Sequence, residues 1–436
     1  MTVATRHSFV RRTITVCIAV IGVALLGGCQ RAAPAAEQGI TLHFWAMGRE
    51  ADAVRQVMPA FEASHPGVHV DVQTLPWAGA HQKLLTAFAG DTTPDLCQLG
   101  NTWIPELATL GALAPLDRQV ADSRVVRPGD YFPGIWDTNR LHGTLYGVPW
   151  YVDTRLLFYR KDLLARAGFA HPPRTWAEWA TQLAAIKRQA GPDRYAILLP
   201  TNEFEQLESL GLQQSEPMLR DNGRYGNFRS PGFKRVLAFY AQMYRKHWSP
   251  VVANTEIPNV WAEFARGYYA FYFSGPWNIA EFKQRMPKAL RDKWATAPLP
   301  GPHGPGTSLA GGSSLVIFRA SAHKRAAWQL IEYLSRPAVQ RRFYQLVGDM
   351  PPRRSSWDNS ALADDPYAKA FRVQLEHVRP VPKVPEWEQI ATELRLVGEQ
   401  LAHGQLNVDQ AADELDRRAD QILSKRRWML DHGRTP

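Results

Sequence analysis

Glycine-rich motifs that hold phosphates have a fixed spacing, and this 436-residue sequence lacks it. No glycine is followed by lysine, so the phosphate-binding loop of an ATPase is excluded. Gly301, Gly304 and Gly306 lie among prolines and precede a predicted strand, whereas a dinucleotide-binding turn follows a strand and opens a helix. The sequence therefore predicts no nucleotide cofactor.

The sequence gives equally weak signals for a metal site and for acid–base catalysis. His65 and His69 are four residues apart, but Pro66-Gly67 between them prevents a shared helix face, so we expect no metal site. A glycosidase needs two opposed carboxylates, and no spacing marks out a pair among the acidic residues. A secreted glycosidase or lyase stays open as an alternative, but we expect no catalytic residues and no enzyme.

The N-terminus has the layout of an export signal. Arg11 and Arg12 precede an apolar stretch at 14–26, and no acidic residue occurs before Glu37. A membrane span needs about 20 apolar residues, so the stretch favours a cleaved signal over a retained helix.

The signal ends in Leu26-Gly27-Gly28-Cys29, which resembles the lipobox of bacterial lipoproteins. This pattern predicts a signal peptide over 1–28, a lipid on Cys29 and an alanine- and proline-rich tether over 29–39. We expect an exported lipoprotein anchored on the periplasmic side of a membrane; inner or outer membrane stays open.

Cysteine count and charge exclude other classes. After processing, Cys97 is the one cysteine with a free thiol, so an intrachain disulfide is impossible, and its apolar surroundings predict an inert buried residue. The formal charge is +10, but no long basic run carries interleaved aromatic residues, so we expect no nucleic-acid partner.

Hydrophobic periodicity predicts an α/β protein. Residues 40–44 and 68–72 alternate as strands, and apolar residues at 54, 57, 58 and 61 give an amphipathic helix between them. Strand, helix, strand, helix, strand is the order of a mostly parallel sheet. A second such unit begins near Tyr146, where Thr175 and Glu178 form a capping box and 268–273 is a predicted strand.

Seven segments, in this order, resemble the family-1 extracellular solute-binding proteins, the sugar-capturing components of ABC importers for maltose, trehalose or glycerol phosphate. They are HFWAMGREADAVRQVMPAFEASHPGVHV, TPDLCQLGNTWIPELATLGALAPLD, LYGVPWYVDTRLLFYRKDLLARAGF, FSGPWNIAEF, AGGSSLVIF, MPPRRSSWDN and VPEWEQI. The resemblance spans essentially the whole mature chain. The residues of these segments are most similar to those of the maltose and trehalose branch of the family.

The resemblance implies a type II periplasmic-binding-protein fold, α/β with two lobes and a ligand cleft at the hinge. We expect chain crossings near Val148, Gly301 and Gly348. The N-terminal lobe would then comprise 40–148 plus 301–348, and the C-terminal lobe 149–300 plus 349–430. The implied partners are a small sugar and the permease subunits of an ABC importer, with the ATPase subunit contacted indirectly. We expect a monomer; a sensor subunit that feeds a receptor is a further alternative.

Sugar chemistry and the resemblance together select twelve candidate ligand-binding residues. These are Trp45, Glu50, Trp77, Asn101, Thr102, Tyr151, Asp153, Arg155, Trp277, Gly311, Gly312 and Arg353. Trp277 follows a Gly-Pro turn that exposes it for stacking on a pyranose face. Trp45 could stack or simply pack, and Asn101 and Thr102 could bind hydroxyls or cap a helix.

The remaining candidates carry similar alternatives. Asp153 and Arg155 offer an acceptor and a planar donor, or a structural ion pair. Gly311 and Gly312 allow the backbone to approach a ligand, or make a tight turn. Arg353 matches the Pro-x-Arg position of the family and could bind hydroxyls or an anion, so glycerol phosphate or another anionic sugar derivative stays an alternative ligand. We predict structural roles for four other tryptophans, Trp103, Trp176, Trp179 and Trp387.

Overall fold

The computed structural model describes residues 39–358 and 360–434. Cys29 and the predicted signal peptide lie outside these residues. Within them, none of the helices combines the length and apolarity needed to span a bilayer.

The described strands form two main sheets and three short pairs. The strands are β1 Ile40–Met47, β2 Val68–Leu75, β3 Leu96–Gly100, β4 Arg140–Leu141, β5 Thr144–Leu145, β6 Val148–Val152, β7 Leu156–Arg160, β8 Ile197–Leu198, β9 Leu219–Arg220, β10 Tyr225–Gly226, β11 Phe271–Ser274, β12 Trp294–Ala297, β13 Ser308–Leu309, β14 Gly312–Ile317 and β15 Val378–Arg379.

Helices cover both sheets and contribute most of the remaining core. They are α1 Gly48–Ser64, α2 Trp77–Ala89, α3 Ile104–Thr109, α4 Asp117–Asp122, α5 Pro133–Asp137, α6 Lys161–Arg166, α7 Trp176–Ala190, α8 Glu205–Gly211, α9 Pro231–Arg245, α10 Val260–Arg266, α11 Asn278–Arg285, α12 Lys324–Leu334, α13 Pro337–Val347, α14 Ala361–Asp364, α15 Lys369–Gln374, α16 Trp387–Ala402, α17 Val408–Ile422 and α18 Ser424–Asp431. Thr175 caps α7, since its hydroxyl accepts a hydrogen bond from the Glu178 amide at 3.1 Å.

The first sheet has the order β2-β1-β3-β14-β6. The first three strands are parallel, as predicted, and β14 runs antiparallel to both β3 and β6. Leu42 and Phe44 of β1 are completely buried, which is the consequence of their alternation. The second sheet, β12-β7-β11-β8, is mainly antiparallel, so the expectation of a second parallel unit was wrong.

Sheet membership locates the passages of the chain between the two sheets. Strand β6 pairs with β14 in the first sheet, so the chain passes to the second sheet between Val152 and Leu156, a few residues after the crossing expected near Val148. The chain returns to the first sheet between β12 and β14. Asp153 therefore lies in the segment that connects the first sheet to the second.

Candidate functional site

A cavity of about 720 Å³ lies between the two sheets. Its walls are built from the segment after β1, the segment after β3, the end of β6, the start of β14 and the segment after β11. Ligands of α/β proteins bind at the carboxyl ends of strands because loops and helix starts meet there. The cavity is therefore the candidate site.

Ten of the twelve predicted residues line this cavity. They are Glu50, Trp77, Asn101, Thr102, Tyr151, Asp153, Arg155, Trp277, Gly311 and Gly312. They come from six separate stretches of the sequence, and the fold brings them together. Their contact with a ligand stays a prediction.

Trp45 and Arg353 are the two predicted residues that do not line the cavity. Trp45 lies on the face of the first sheet that is covered by α2, and the Lys83 ammonium lies 5.1 Å from its ring centroid. Arg353 is buried, and its Nε donates to the Asp130 carboxylate at 2.7 Å. Trp45 packs against the core and Arg353 forms an internal ion pair, so we no longer count either residue in the candidate site.

The two glycines have a structural reason for lacking a side chain. A Cβ on Gly311 would lie 2.4 Å from the carbonyl oxygen of Asp153, and one on Gly312 would lie 2.3 Å from that of Tyr151. Gly312 also has a φ of +123°. The glycines allow β14 to approach the β6 backbone closely, and this strand pair forms the floor of the cavity.

Asn101 holds the cavity wall together. Its Oδ1 accepts from the Ser314 hydroxyl at 2.8 Å, and its amide nitrogen donates to the Ala310 carbonyl at 3.4 Å. These bonds tie the turn after β3 to β14. Asn101 does not cap helix α3, whose N-cap position is Trp103, and its contact with a ligand stays a prediction.

Arg155 is clamped by two carboxylates. Its guanidinium donates to Asp153 at 2.9 Å and to Glu205 at 2.6 Å, and it lies 4.6 Å from the centroid of the Trp277 ring. Burial raises the pKa of Asp153 to about 6, with a contribution from Glu205 and with Arg155 acting in the opposite direction. The ion pair named as an alternative is present, and its guanidinium lies over the Trp277 ring, which lines the cavity.

A second polar group surrounds Tyr151. Its hydroxyl accepts from Gln98 at 2.9 Å and from Ser313 at 3.0 Å, and it donates to Glu50 at 3.4 Å. Asp349 also lines the cavity beside this group. Burial and the charge of Glu50 raise the pKa of Asp349 well above its usual range.

Four tryptophans line the cavity, two from each side. Trp77 and Trp103 pack edge to face with centroids 5.9 Å apart, and Trp77 is 41% exposed. Trp261 and Trp277 belong to segments that border the second sheet, and the Trp261 indole donates to Asn278 at 2.8 Å. Trp103 lines the cavity and also packs against the hydrophobic core beside it, so its structural role stays a prediction.

Sequence reasoning missed a further set of lining residues. They are Gly48, Arg49, Gly100, Trp103, Phe204, Glu205, Glu208, Trp261, Glu281, Leu309, Ser313, Asp349 and Glu388. Five of these are acidic, and no local pattern distinguishes them from surface acids. Trp176, Trp179 and Trp387 lie outside the cavity wall, as predicted, and pack against the core of the second lobe.

The described residues contain no cluster of histidine, cysteine and acidic side chains arranged to hold a metal ion. Cys97 is completely buried in strand β3, and this burial raises the pKa of its thiol well above the usual range. The predicted inert character of Cys97 agrees with this environment.

Comparison with known proteins identifies relatives over most of the chain. The family model for bacterial extracellular solute-binding proteins matches residues 48–341. The structure of the sugar-binding protein MalE from the phytopathogen Xanthomonas citri is 58% identical in sequence, with a TM-score of 0.87, and the match covers 90% of this chain and 99% of that one.

Two more distant relatives also match most of the chain. An ABC transporter solute-binding protein of Thermotoga lettingae, solved with α-D-tagatose, is 25% identical with a TM-score of 0.76, covering 88% of this chain and 100% of that one. The diacetylchitobiose-binding protein DasA of Streptomyces coelicolor is 24% identical over 358 residues, 81% of this chain and 82% of its own length.

These matches confirm the predicted two-lobed α/β fold, and the relatives are binding proteins. The family model alone covers well over half of the chain. The chain belongs to the family of bacterial extracellular solute-binding proteins.

Proposed function

We propose that this protein captures a sugar, with a disaccharide or small oligosaccharide as the expected size, and delivers it to the permease of a carbohydrate ABC importer. The observation that carries the proposal is the cavity between the sheets, which is lined from both sides by tryptophans and by groups that hydrogen-bond hydroxyls. Aromatic faces stack on pyranose rings, while carboxylates and amides bind the hydroxyls at the ring edge. The name of the Xanthomonas citri relative, a sugar-binding protein, supports this ligand class.

Capture is expected to proceed by closure of two lobes. The lobes are the predicted ones, with the first boundary moved to follow Val152. A ligand that contacts both lobes binds the closed form more tightly than the open form, and so shifts the equilibrium toward closure. The closed form then docks on the permease, and the separate ATPase subunit hydrolyses ATP.

An anionic ligand such as glycerol phosphate is not supported by the site. Arg353, on which that alternative rested, is buried against Asp130 outside the cavity. Arg155 is already paired with Asp153 and Glu205. A phosphate would have to approach a cavity rich in carboxylates, which repel it.

The proposed location is the periplasmic side of a membrane, with a lipid on Cys29 and the two-lobed part held by the tether. The protein is expected to act as a monomer and to catalyse no reaction. The description of the matched family as extracellular supports export.

A thermal-shift screen of the mature protein against mono-, di- and trisaccharides tests the proposal. A sugar present at 100 times its Kd should stabilise the protein by about 2.7 kcal/mol, which is a clear shift of the melting temperature. Chromatography of the incubated sugars checks for turnover. Absence of any shift, or conversion of a bound oligosaccharide into products, would contradict the proposal.

A further inference from the structure

The cavity is strongly acidic, although the chain as a whole is basic. Lys and Arg outnumber Asp and Glu by 51 to 41 over the sequence. Among the lining residues the balance is reversed, with seven carboxylic acids and two arginines. The acids are Glu50, Asp153, Glu205, Glu208, Glu281, Asp349 and Glu388.

Both lining arginines are already engaged by the protein. Arg155 is held between Asp153 and Glu205, and Arg49 donates to the Val347 carbonyl at 2.8 Å and pairs with Glu281. Against the larger effect of burial, the charge of Arg49 lowers the pKa of Glu50 and of Asp349, so this guanidinium is shared among several acids. The seven acids outnumber the two guanidinium groups that line the cavity.

Three of the seven lining acids act on one another through their charges. Burial is the largest cause of the raised pKa values of Glu50, Asp153 and Asp349. The charge of Glu50 also raises the pKa of Asp153 and of Asp349, and the charge of Asp153 raises that of Asp349. Asp349 is only 6% exposed and has no cation within ion-pair distance among the described residues. Like charges this close are stabilised either by a shared proton or by a cation placed between them.

A second observation points to a missing donor. Glu208 lines the cavity and is completely buried, and its Oε2 has no hydrogen-bond partner in the described part of the chain. A buried carboxylate oxygen without a partner costs free energy unless a ligand supplies a donor. The tryptophan faces that line the same cavity also attract cations.

We propose that the ligand is a saccharide that carries a protonated amine, whose ammonium group lies among the carboxylates of Glu50, Asp153 and Asp349. This inference rests on the proposed sugar-binding function and narrows its ligand class. An ammonium has three donors and a positive charge, so it relieves the repulsion among the three acids. A neutral hydroxyl supplies one donor and no charge.

Matched saccharides that differ only in the substituent at C2 of one or both rings test the inference. Titration calorimetry at pH 7 compares cellobiose with chitobiose and with N,N′-diacetylchitobiose, and trehalose with its 2-amino-2-deoxy analogue. In the series that fits the cavity, we expect the free amine to bind about tenfold more tightly than the hydroxyl compound, since a charge-assisted hydrogen bond replaces a neutral one. The acetylated sugar should lose this gain.

Variants locate the effect. Asp349→Asn and Glu50→Gln should each reduce the preference for the amine while a neutral sugar still binds, and Glu256→Gln, outside the cavity, should leave the preference unchanged. Thermal melting of each variant checks that it folds. The Asp349 and Glu50 variants are two independent tests of whether these carboxylates bind the ammonium group.

Equal affinity for amine and hydroxyl sugars in every series would overturn the inference and leave the proposed function in place. A preference that survives in both cavity variants would also overturn it. Absence of binding by any saccharide, neutral or amino, would instead contradict the proposed function itself.

Discussion

The guanidinium of Arg49 and the carboxylate of Glu281 approach within 3.6 Å of each other across the cavity. Arg49 begins the helix after the first strand of the first sheet, and Glu281 lies on the helix after a strand of the second sheet. Glu281 also accepts from Arg285 at 2.6 Å, so its position is fixed from its own side. This ion pair links the two lobes beside the candidate site.

We expect Arg49→Gln to weaken ligand binding about two- to fivefold, because the proposed closed state should be stabilised by this pair across the cavity, and the variant lacks the pair. The effect is small because Arg49 is 59% exposed, and exposed pairs contribute about 0.2–1 kcal/mol. Calorimetry at low and high salt measures it, and the wild type should lose affinity with salt while the variant changes less.

Arg55→Gln is the matched control, since Arg55 lies on the same helix and pairs with Asp52 within the first lobe. Equal losses of affinity in the two variants would show that the Arg49–Glu281 pair has no special relation to closure.

Trp277→Ala should weaken sugar binding by about 1–3 kcal/mol, as expected for truncation of an aromatic residue at the centre of an interface. The fold should persist, because the side chain borders a cavity and its removal leaves no closed void. Trp428→Ala, at a half-exposed tryptophan outside the cavity, is the control. Unchanged affinity of Trp277→Ala in calorimetry would assign Trp277 to packing alone.

The buried acids should make the free protein more stable on mild acidification. Burial raises the pKa of Asp153 from an ordinary 3.8 to about 6, so the folded state binds this proton more tightly than the unfolded chain does. Stability from this group is therefore present at low pH and is lost as pH rises through about 6. The raised pKa values of Asp349 and Glu50 act in the same direction.

Asp153→Asn tests this sign, because asparagine resembles the protonated acid at every pH. Relative to wild type, the variant should gain thermal stability as pH is raised from 5 to 7.5. Asp52→Asn controls for the loss of an exposed charge. A difference in melting temperature that is constant over this range, or that has the opposite slope, would contradict the assigned environment of Asp153.

Cys29→Ala should yield a precursor that is neither lipidated nor cleaved at this site. The reason is that the thiol of Cys29 is the predicted acceptor of the lipid, after Leu26-Gly27-Gly28. Labelling cells with a radioactive fatty acid and fractionating membranes measures the result. Cys97→Ala is the control, and wild-type protein without label in the soluble fraction would contradict the anchor.

Most of the fold could be predicted because its strands and helices have clear periodicity. The alternation in Ile40–Met47 and Val68–Leu75 predicts two strands, and the helix between them makes a parallel pair the expected arrangement. Thr175 marks a helix start, and its hydroxyl accepts a hydrogen bond from the Glu178 amide. The antiparallel pairing of the second sheet was missed, because periodicity within a strand says nothing about the direction of its neighbour.

The candidate site was predicted where strand ends coincide with polar or aromatic residues, as at Asn101, Asp153 and Trp277. For Trp45 the structure shows the packing alternative. The sequence could not choose it, because alternation shows which face of a sheet a residue occupies, but not whether a helix or the cavity covers that face. Asp349 and the other acids were missed because only tertiary structure brings them together.

Substitutions on each side of the cavity should reduce closure as well as affinity. Trp77→Ala removes a contact from the first lobe and Trp277→Ala one from the second, so each should leave the complex less compact than the wild-type complex. This coupling follows because a ligand shifts the lobes only through its different affinities for the open and closed forms. If the site were confined to one lobe, one substitution alone would reduce affinity, and neither would change the compactness of the complex.

The most direct test of capture between lobes is small-angle X-ray scattering of the mature wild-type protein, free and saturated with the sugar that binds most tightly. We predict a smaller radius of gyration in the complex, with the free protein matching an open arrangement of the two lobes. Identical scattering of the two forms, with the free protein shown to be open, would contradict capture by closure.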